Sequence, residues 1–267
     1  MGNMGAMTEL GYGWLTPLLS YLMAVVGSAL ALRCMVRARA AEPGSRGRWN
    51  WLAVAAVSLG IGIWTMHFIA MLGFGVTGSE IHYDVPLTVA SLVIAVAFTG
   101  AGALLVGRGG GAVRLRRLLP AGLLTGVGVA AMHYLGMAAM RLHGAVSWDP
   151  VLVVLSVLIA VVAATAALWA GLRVRGRAAG IGAALVMGVA VSAMHYTGMA
   201  AMRVSLRAAD HTPLGGAGTM AFVFPLAVGL GSFLFLTSAF VALSPETEAD
   251  AESARERRGG PSLPVRP

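Results

Sequence analysis

Residues 126–137 read GVGVAAMHYLGM, and the same pattern stands at residues 60–71 (GIGIWTMHFIAM) and 188–199 (GVAVSAMHYTGM). The three histidines of the pattern are 66 and 62 residues apart. The segments before the copies also resemble one another: LSYLMAV at 19–25, ASLVIAV at 90–96 and LSVLIAV at 155–161. The repeated unit is therefore a pair of segments that is present three times.

The composition of the chain places these repeats in a membrane. Of its 267 residues, 58% are hydrophobic and 11% are charged, and the mean hydropathy is +0.80. Seven apolar segments are long enough to cross ~30 Å of hydrocarbon as helices. These segments are residues 14–32, 51–72, 85–106, 118–140, 150–172, 181–202 and 220–243. We therefore predict an all-α integral membrane protein with seven transmembrane helices.

The repeats also predict how the helices are arranged. Two helices return the chain to its starting side, so the three two-helix repeats are parallel and the seventh helix is added to them. The three motifs then lie at one depth, in a pseudo-threefold arrangement. His67 is five residues from the end of its segment, which places it ~7 Å below the membrane boundary.

Arginine placement predicts the orientation. All nineteen basic residues are arginines, with twelve in the loops 33–50, 107–117 and 173–180 and three in the opposite loops. Because positive loops stay in the cytoplasm, the N-terminus is expected outside and the C-terminus inside. Membrane topology and anionic lipid thus account for the net charge of +8, and no nucleic acid is expected as a partner.

The chain divides into three parts on this interpretation. Residues 1–10 form an extracytoplasmic N-terminus, residues 11–243 form the membrane domain, and residues 244–267 form a charged, proline-containing tail. We expect this tail to be disordered and cytoplasmic. A single cysteine, Cys34, excludes an intrachain disulfide and a cysteine-based metal cluster.

His67, His133 and His195 are the only members of the Asp/Glu/His/Lys/Arg group inside the seven segments. Such residues are costly in lipid and are candidates for function. On a helix, positions i+4 and i+7 share the face of position i, so each imidazole is expected beside methionine thioethers. These are Met71 in the first copy, Met137 and Met140 in the second, and Met199 and Met202 in the third.

A site that mixes imidazole and thioether favours copper over zinc, because thioether selects the soft cuprous ion. The methionines that precede the histidines, Met66, Met132 and Met194, add to the candidate ligands. The alternative is that each histidine only bonds a neighbouring helix and each methionine fills core space. Three copies at equal depth favour a shared metal or haem site over that alternative.

Aromatic residues and further histidines surround the motifs. Tyr134 and Tyr196 follow their histidines, whereas Phe68 stands in the first copy, so a phenol ligand is available in two copies at most. The outer loops carry three more histidines, whose role the sequence leaves open: His82, His143 and His211. Asp84 and Asp149 precede Pro86 and Pro150 and are expected to cap helices.

The motifs MHYLGM at 132–137 and MHYTGM at 194–199, with the variant MHFIAM at 66–71, resemble the MHYT family of bacterial integral membrane sensor domains. The resemblance covers residues 11 to about 243 and implies a multi-pass protein of the bacterial cell membrane. It further implies sensing of a diatomic gas such as oxygen, carbon monoxide or nitric oxide through copper. The implied copper positions are Met66, His67, Met132, His133, Tyr134, Met194, His195 and Tyr196.

Other functions remain open from the sequence. A haem-binding electron-transfer protein is one, since histidine and methionine both ligate haem iron. A copper or zinc permease is another, although intramembrane polar residues stop at the outer third. An enzyme is not expected, because no segment carries a carboxylate or a nucleophile–base pair. A sensor without a fused output domain needs a cytoplasmic signalling partner, which the sequence does not identify.

Overall fold

The computed structural model describes residues 7–9, 13–107, 115–206 and 212–243. This part of the chain contains seven helices that are long and apolar enough to cross a membrane. They are α1 (Leu15–Ala40), α2 (Arg46–Leu72), α3 (Val85–Gly107), α4 (Leu115–Ala138), α5 (Pro150–Arg173), α6 (Arg177–Ala200) and α7 (Phe224–Leu243). A π-helical turn, Thr219–Val223, precedes α7. The predicted all-α, seven-helix membrane fold is confirmed, whereas the tail at 244–267 and most of residues 1–10 lie outside the described residues.

The first six helices form a closed ring. Each packs against the next in the sequence, and α6 returns to pack against α1. The even-numbered helices α2, α4 and α6 also contact one another at the centre, while α7 packs outside the ring against α1 and α2. The ring therefore places the three motif-bearing helices around one axis.

Glycines of the motif make equivalent close contacts between helices in the three copies of the repeat. A Cβ built on Gly60 of α2 would meet the Val96 backbone of α3 at 2.8 Å, and one on Gly126 of α4 would meet the Val161 backbone of α5 at 2.4 Å. On Gly188 of α6 it would lie 2.6 Å from the Val25 side chain of α1. The three valines occupy equivalent positions of the repeat, so these glycines let neighbouring helices approach closely in all three copies.

Short strands join the ends of the helices near the motifs, which we call the motif end. Here β1 (Met7–Glu9) pairs with β2 (Phe74–Val76), and β5 (Gly144–Trp148) pairs with β6 (Met202–Leu206). Between them, β3 (His82–Tyr83) pairs with both β4 (Met140–Arg141) and β7 (Ala217–Gly218). These antiparallel pairs satisfy the backbone hydrogen bonds of short segments between the helices.

The strands correct two predicted boundaries. The segments 118–140 and 181–202 end early as helices, at Ala138 and Ala200. The reason is that the next carbonyls, of Ala139 and Ala201, accept hydrogen bonds from the backbone N–H groups of Asp84 and Asp149, at the start of the preceding crossing. Met140 and Met202 therefore stand in β4 and β6, and their expected place on the helical face of His133 and His195 was wrong.

Arginine side chains connect the helices at the end of the bundle opposite the motifs, which we call the arginine end. Arg39 of α1 donates to the carbonyls of Leu172 and Val174 at the end of α5. Arg48 of α2 donates to the carbonyls of Ala38 and Gly107 at the ends of α1 and α3. Unpaired carbonyls at helix C-termini attract cations, so α1 and α2 extend as charged helices beyond the apolar segments 14–32 and 51–72.

Candidate metal centre

His67, His133 and His195 lie at one level of the bundle. Each stands five residues before the last residue of its helix, Leu72, Ala138 or Ala200. Each is 1% exposed or less, because α2, α4 and α6 meet at the axis of the ring. The parallel repeats therefore place three polar rings in a site that water does not reach.

The three imidazoles converge on one point. The Nδ1 atom of His67 lies 3.0 Å from Nδ1 of His195 and 3.2 Å from Nδ1 of His133. One nitrogen from each ring lies within 4.8 Å of the other two. The ring planes are nearly perpendicular, with centroids 4.9 to 5.2 Å apart. The predicted convergence of the three histidines, which we call the histidine triad, is confirmed.

The hydrogen-bonding capacity of the triad is not satisfied by its own members. A neutral imidazole nitrogen carries either one proton or one lone pair. The Nδ1 atom of His67 therefore makes one well-aligned hydrogen bond, although two other Nδ1 atoms lie within 3.2 Å. The second short contact brings nitrogens together without an ordinary bond between them. A cation between the three atoms would use these lone pairs.

Two of the nitrogen separations within the triad are close to those found around a small transition-metal ion. Nitrogens that bind such an ion at ~2.0–2.1 Å stand roughly 3.3–3.6 Å apart in tetrahedral or trigonal geometry. The two short Nδ1 separations in the triad, 3.0 and 3.2 Å, require an opening of a few tenths of an ångström, on the scale of ~0.3 Å. Imidazole suits copper, zinc, iron and nickel, whereas magnesium and calcium require oxygen ligands, which the triad lacks.

The other imidazole nitrogens point at glycines of the neighbouring copy. A Cβ on Gly136 of α4 would lie 2.6 Å from Nε2 of His67, and one on Gly198 of α6 would lie 2.4 Å from Nε2 of His133. Both Nε2 atoms are buried, and neither has a hydrogen-bond partner among the described residues. The third glycine position of the motif is Ala70. The motif glycines thus provide the space into which the preceding copy's imidazole fits.

Most of the candidate methionines are buried in the same apolar core as the triad. Met66, Met132 and Met194 are 1% exposed or less, and Met71 and Met137 are 2% and 3% exposed. Met199 packs at the edge of that core. Met140 and Met202 belong to it as well, but from the strands β4 and β6. A ligand role for any of these methionines stays a prediction.

The aromatic residues of the motifs differ in their surroundings. The hydroxyl oxygens of Tyr134 and Ser156 of α5 are 2.6 Å apart, so this phenol is engaged with the ring of helices. Tyr196 is 42% exposed at the bundle surface. Phe68 is fully buried and stacks on Trp64 with ring centroids 4.3 Å apart. The Phe68 ring also packs edge-on against the rings of His67 and Tyr83.

The loop histidines that the structure describes do not join the triad. His82 lies 3.6 Å from the carboxylate of Glu80, and Nε2 of His143 lies 2.8 Å from the Thr212 carbonyl. Both stand above the triad at the motif end, and His211 lies outside the described residues. Tyr83 was not predicted from the sequence as part of the site. It packs on Phe68 and is fully buried, and burial raises the pKa of its hydroxyl.

Asp84 and Asp149 cap helices, as predicted. Asp149 accepts hydrogen bonds from the backbone of Val151 and Leu152 at the start of α5. Asp84 accepts one from the backbone of Leu87 in α3. Its other oxygen lies 2.9 Å from the Arg141 guanidinium of β4. The hydrogen bond from Arg141 is the main cause that holds the pKa of the Asp84 carboxyl below its usual value, and the Leu87 backbone adds to it.

Comparison with known proteins identifies two of the repeats. A family model described as the MHYT bacterial signalling protein N-terminal repeat matches residues 60–119 and 126–184. The chain is 41% identical over 192 residues to the Pseudomonas aeruginosa bifunctional diguanylate cyclase/cyclic di-GMP phosphodiesterase MucR, covering 70% of this chain and 27% of MucR. It is 42% identical over 172 residues to the cyclic di-GMP phosphodiesterase NbdA of the same organism, covering 62% and 21%.

An uncharacterized signaling protein of Caulobacter vibrioides is 33% identical over 223 residues, covering 80% of this chain and 26% of that protein. The chain therefore spans about a quarter or less of the length of these curated relatives. No solved structure matches it. From the matched repeats, the seven membrane-spanning helices and the shared identity with signalling proteins, we conclude that the chain belongs to the MHYT family of bacterial membrane signalling domains.

Proposed function

We propose that the chain is a membrane-embedded sensor that detects a diatomic gas or the redox state through copper held by the histidine triad. The observation that carries this proposal is the convergence of three buried imidazole nitrogens at one point. Intramembrane imidazoles are costly unless they serve a site. Oxygen, carbon monoxide and nitric oxide all bind reduced copper, so one site accounts for a response to each of them.

Copper is favoured over zinc by the surroundings of the triad. The buried core around the imidazoles contains the thioethers of Met71 and Met137 and, from the strands, Met140 and Met202. Thioethers select the cuprous ion, whereas zinc has no preference for them. In our proposal the histidines His67, His133 and His195 are the principal ligands, and the motif methionines, with Tyr134 and Tyr196, surround them.

Haem is disfavoured as the cofactor by the same distances. Two histidines that share a haem must stand on opposite faces of the porphyrin. The Nδ1 atoms of the triad are 3.0 and 3.2 Å apart, which leaves no room for a porphyrin plane between them. A metal permease is disfavoured because the space below the triad is lined by apolar side chains and two threonines, whereas an ion path needs polar groups along its length.

We propose that the signal sensed in the membrane is passed on to a cytoplasmic partner. The relatives MucR and NbdA are named as enzymes of cyclic di-GMP metabolism, and the chain matches about a quarter or less of the length of each. We propose that this membrane domain carries no catalytic activity of its own. This unidentified partner would respond at the arginine end, where Arg39 and Arg48 connect the ends of neighbouring helices.

The test is metal analysis of the protein purified in detergent, combined with its absorption and electron paramagnetic resonance spectra. We expect copper in the wild-type protein and a loss of at least tenfold in copper affinity for each of His67→Ala, His133→Ala and His195→Ala. His143→Ala is the matched control, because His143 lies in an outer loop and should retain its metal content. Full copper content in all three triad variants would contradict the proposal, and a Soret band would replace copper with haem.

A further inference from the structure

A cavity of about 60 Å³ lies inside the ring, directly below the histidine triad on the side of the arginine end. Its upper wall is formed by Ile63, Val129 and Val191, which stand one helical turn before the three histidines. Met194, the neighbour of His195, also lines it. The cavity therefore adjoins the triad from within the bilayer, on the side away from the outer loops.

The cavity walls exclude a polar ligand. Of the twenty lining residues, eight are alanine and only Thr99 and Thr125 carry a polar side-chain group. The Thr99 hydroxyl donates to the Ala95 carbonyl at 2.8 Å, and the Thr125 hydroxyl lies 3.4 Å from the Phe98 carbonyl. Both hydroxyls are thus directed at backbone rather than into the cavity. A single water needs roughly 10–15 Å³ and two to four polar partners, and this cavity offers the space without the partners.

Small residues repeat around the axis to keep the cavity open. Thr99 and Ala164 occupy equivalent positions of the second and third copies. Tight packing would fill such a space with larger apolar side chains, because interiors are close-packed. Alanine at Ala160, Ala163, Ala164 and Ala167 gives α5 a continuous small face toward the axis.

We infer that this cavity is a binding site for a small apolar molecule of one to a few heavy atoms, and that such a molecule reaches the triad from the bilayer. Apolar cavities in proteins stay dry and bind noble gases and small hydrocarbons. Diatomic gases belong to the same apolar class and dissolve in lipid. Delivery to the triad rests on the proposed sensing function, whereas occupation of the cavity does not depend on metal.

Xenon is the probe for this site. With 13C-methyl-labelled methionines and the full-length protein in nanodiscs, xenon pressure should shift the methyl signals of Met35, Met187 and Met194, which line the cavity. The shifts should saturate, whereas the signal of Met220, which is 58% exposed to the surroundings, should change only in proportion to pressure. Nitrogen gas at equal pressure corrects for compression.

Two variants make the test specific. Ala164→Leu should fill the cavity and abolish the saturable shifts, while Ala166→Leu, on the exposed face of the same helix, should retain them. Ala103→Val on the opposite wall replaces Ala164→Leu if that variant fails to fold, and it should reduce the shifts at least twofold. Saturable shifts that survive filling, or their absence in the wild-type protein, would overturn the inference. Copper content measured on the same samples keeps this result separate from the proposed metal site.

Discussion

At the scale of single residues, the most informative contact is between an imidazole of one copy and a glycine of the next. Nε2 of His67 faces Gly136, and Nε2 of His133 faces Gly198. Tight packing leaves no room for an added methyl group there. The spacing His-x-x-Gly within a motif is therefore a requirement of the neighbouring copy, which explains why the two glycines recur in the sequence at fixed distance from the histidines.

Gly136→Ala should displace the His67 imidazole, because the new Cβ would lie 2.6 Å from its Nε2 atom. We expect bound copper to fall at least tenfold, as on loss of a ligand, although alanine by itself favours a helix by roughly 1 kcal/mol over glycine. Gly182→Ala is the control, since a Cβ there meets nothing within 4 Å and only the helix preference acts. Equal copper affinity in the two variants, measured by competition with a chelator, would contradict the positioning role of Gly136.

The thioethers should matter for the oxidation state of the metal rather than for its presence. Met137→Leu conserves side-chain volume in the core, so its effect on stability should be below about 1.5 kcal/mol. The copper reduction potential should fall, because the thioether stabilises the cuprous form that leucine cannot coordinate. A tenfold preference corresponds to about 59 mV for one electron. Met35→Leu, in the separate core cluster toward the arginine end, should leave the potential measured by redox titration unchanged.

At the scale of elements, the crossings were predictable and the strands were not. Apolar length alone predicts a helix such as α3, because a membrane span needs about twenty apolar residues. The segment 140–148 is short and mixed, and its pairing partners lie far along the chain, so no local pattern predicts β4 and β5. The predicted segments of α4 and α6 ran past the observed helix ends for the same reason, since the choice between helix and strand there depends on tertiary pairing.

The Asp84–Arg141 pair joins the start of α3 to strand β4, and it should make stability at the motif end depend on pH. The folded-state pKa of Asp84 is lowered, so its contribution is complete above the unfolded value of about 3.9. It is lost as the pH falls through the lowered folded value. Thermal unfolding in detergent should therefore show a pH-dependent decrease below pH ~4 that Asp84→Asn reduces. An identical pH profile in Asp84→Asn would rule out this contribution.

At the scale of the whole molecule, the sequence predicts the threefold repeat but not the closure of the ring. Lipid and the protein core are both apolar, so the lipid-facing and core-facing sides of a helix such as α5 have similar hydrophobicity. Hydrophobicity therefore does not predict which side faces the core. The position of α7 outside the ring was unpredictable for this reason. The triad could be predicted because histidine is the one ionisable residue type in these segments. Placing it in lipid costs free energy, which favours a shared, buried location.

We predict that the motif end of the ring faces the outside of the cell and the arginine end faces the cytoplasm. Arg39 and Arg48 cap helix ends at the arginine end, opposite the triad, and positive loops stay in the cytoplasm.

The native Cys34 is fully buried and should not react with a membrane-impermeant maleimide. In intact cells, Thr77→Cys at the motif end should therefore be labelled, while Glu42→Cys at the arginine end should be labelled only after the membrane is permeabilised. Both positions are exposed at the surface of the bundle, so a difference in labelling reports only on which side of the bilayer each position lies. The reverse labelling pattern would place the triad near the cytoplasmic face, and a sensor built on it would then report on the cell interior.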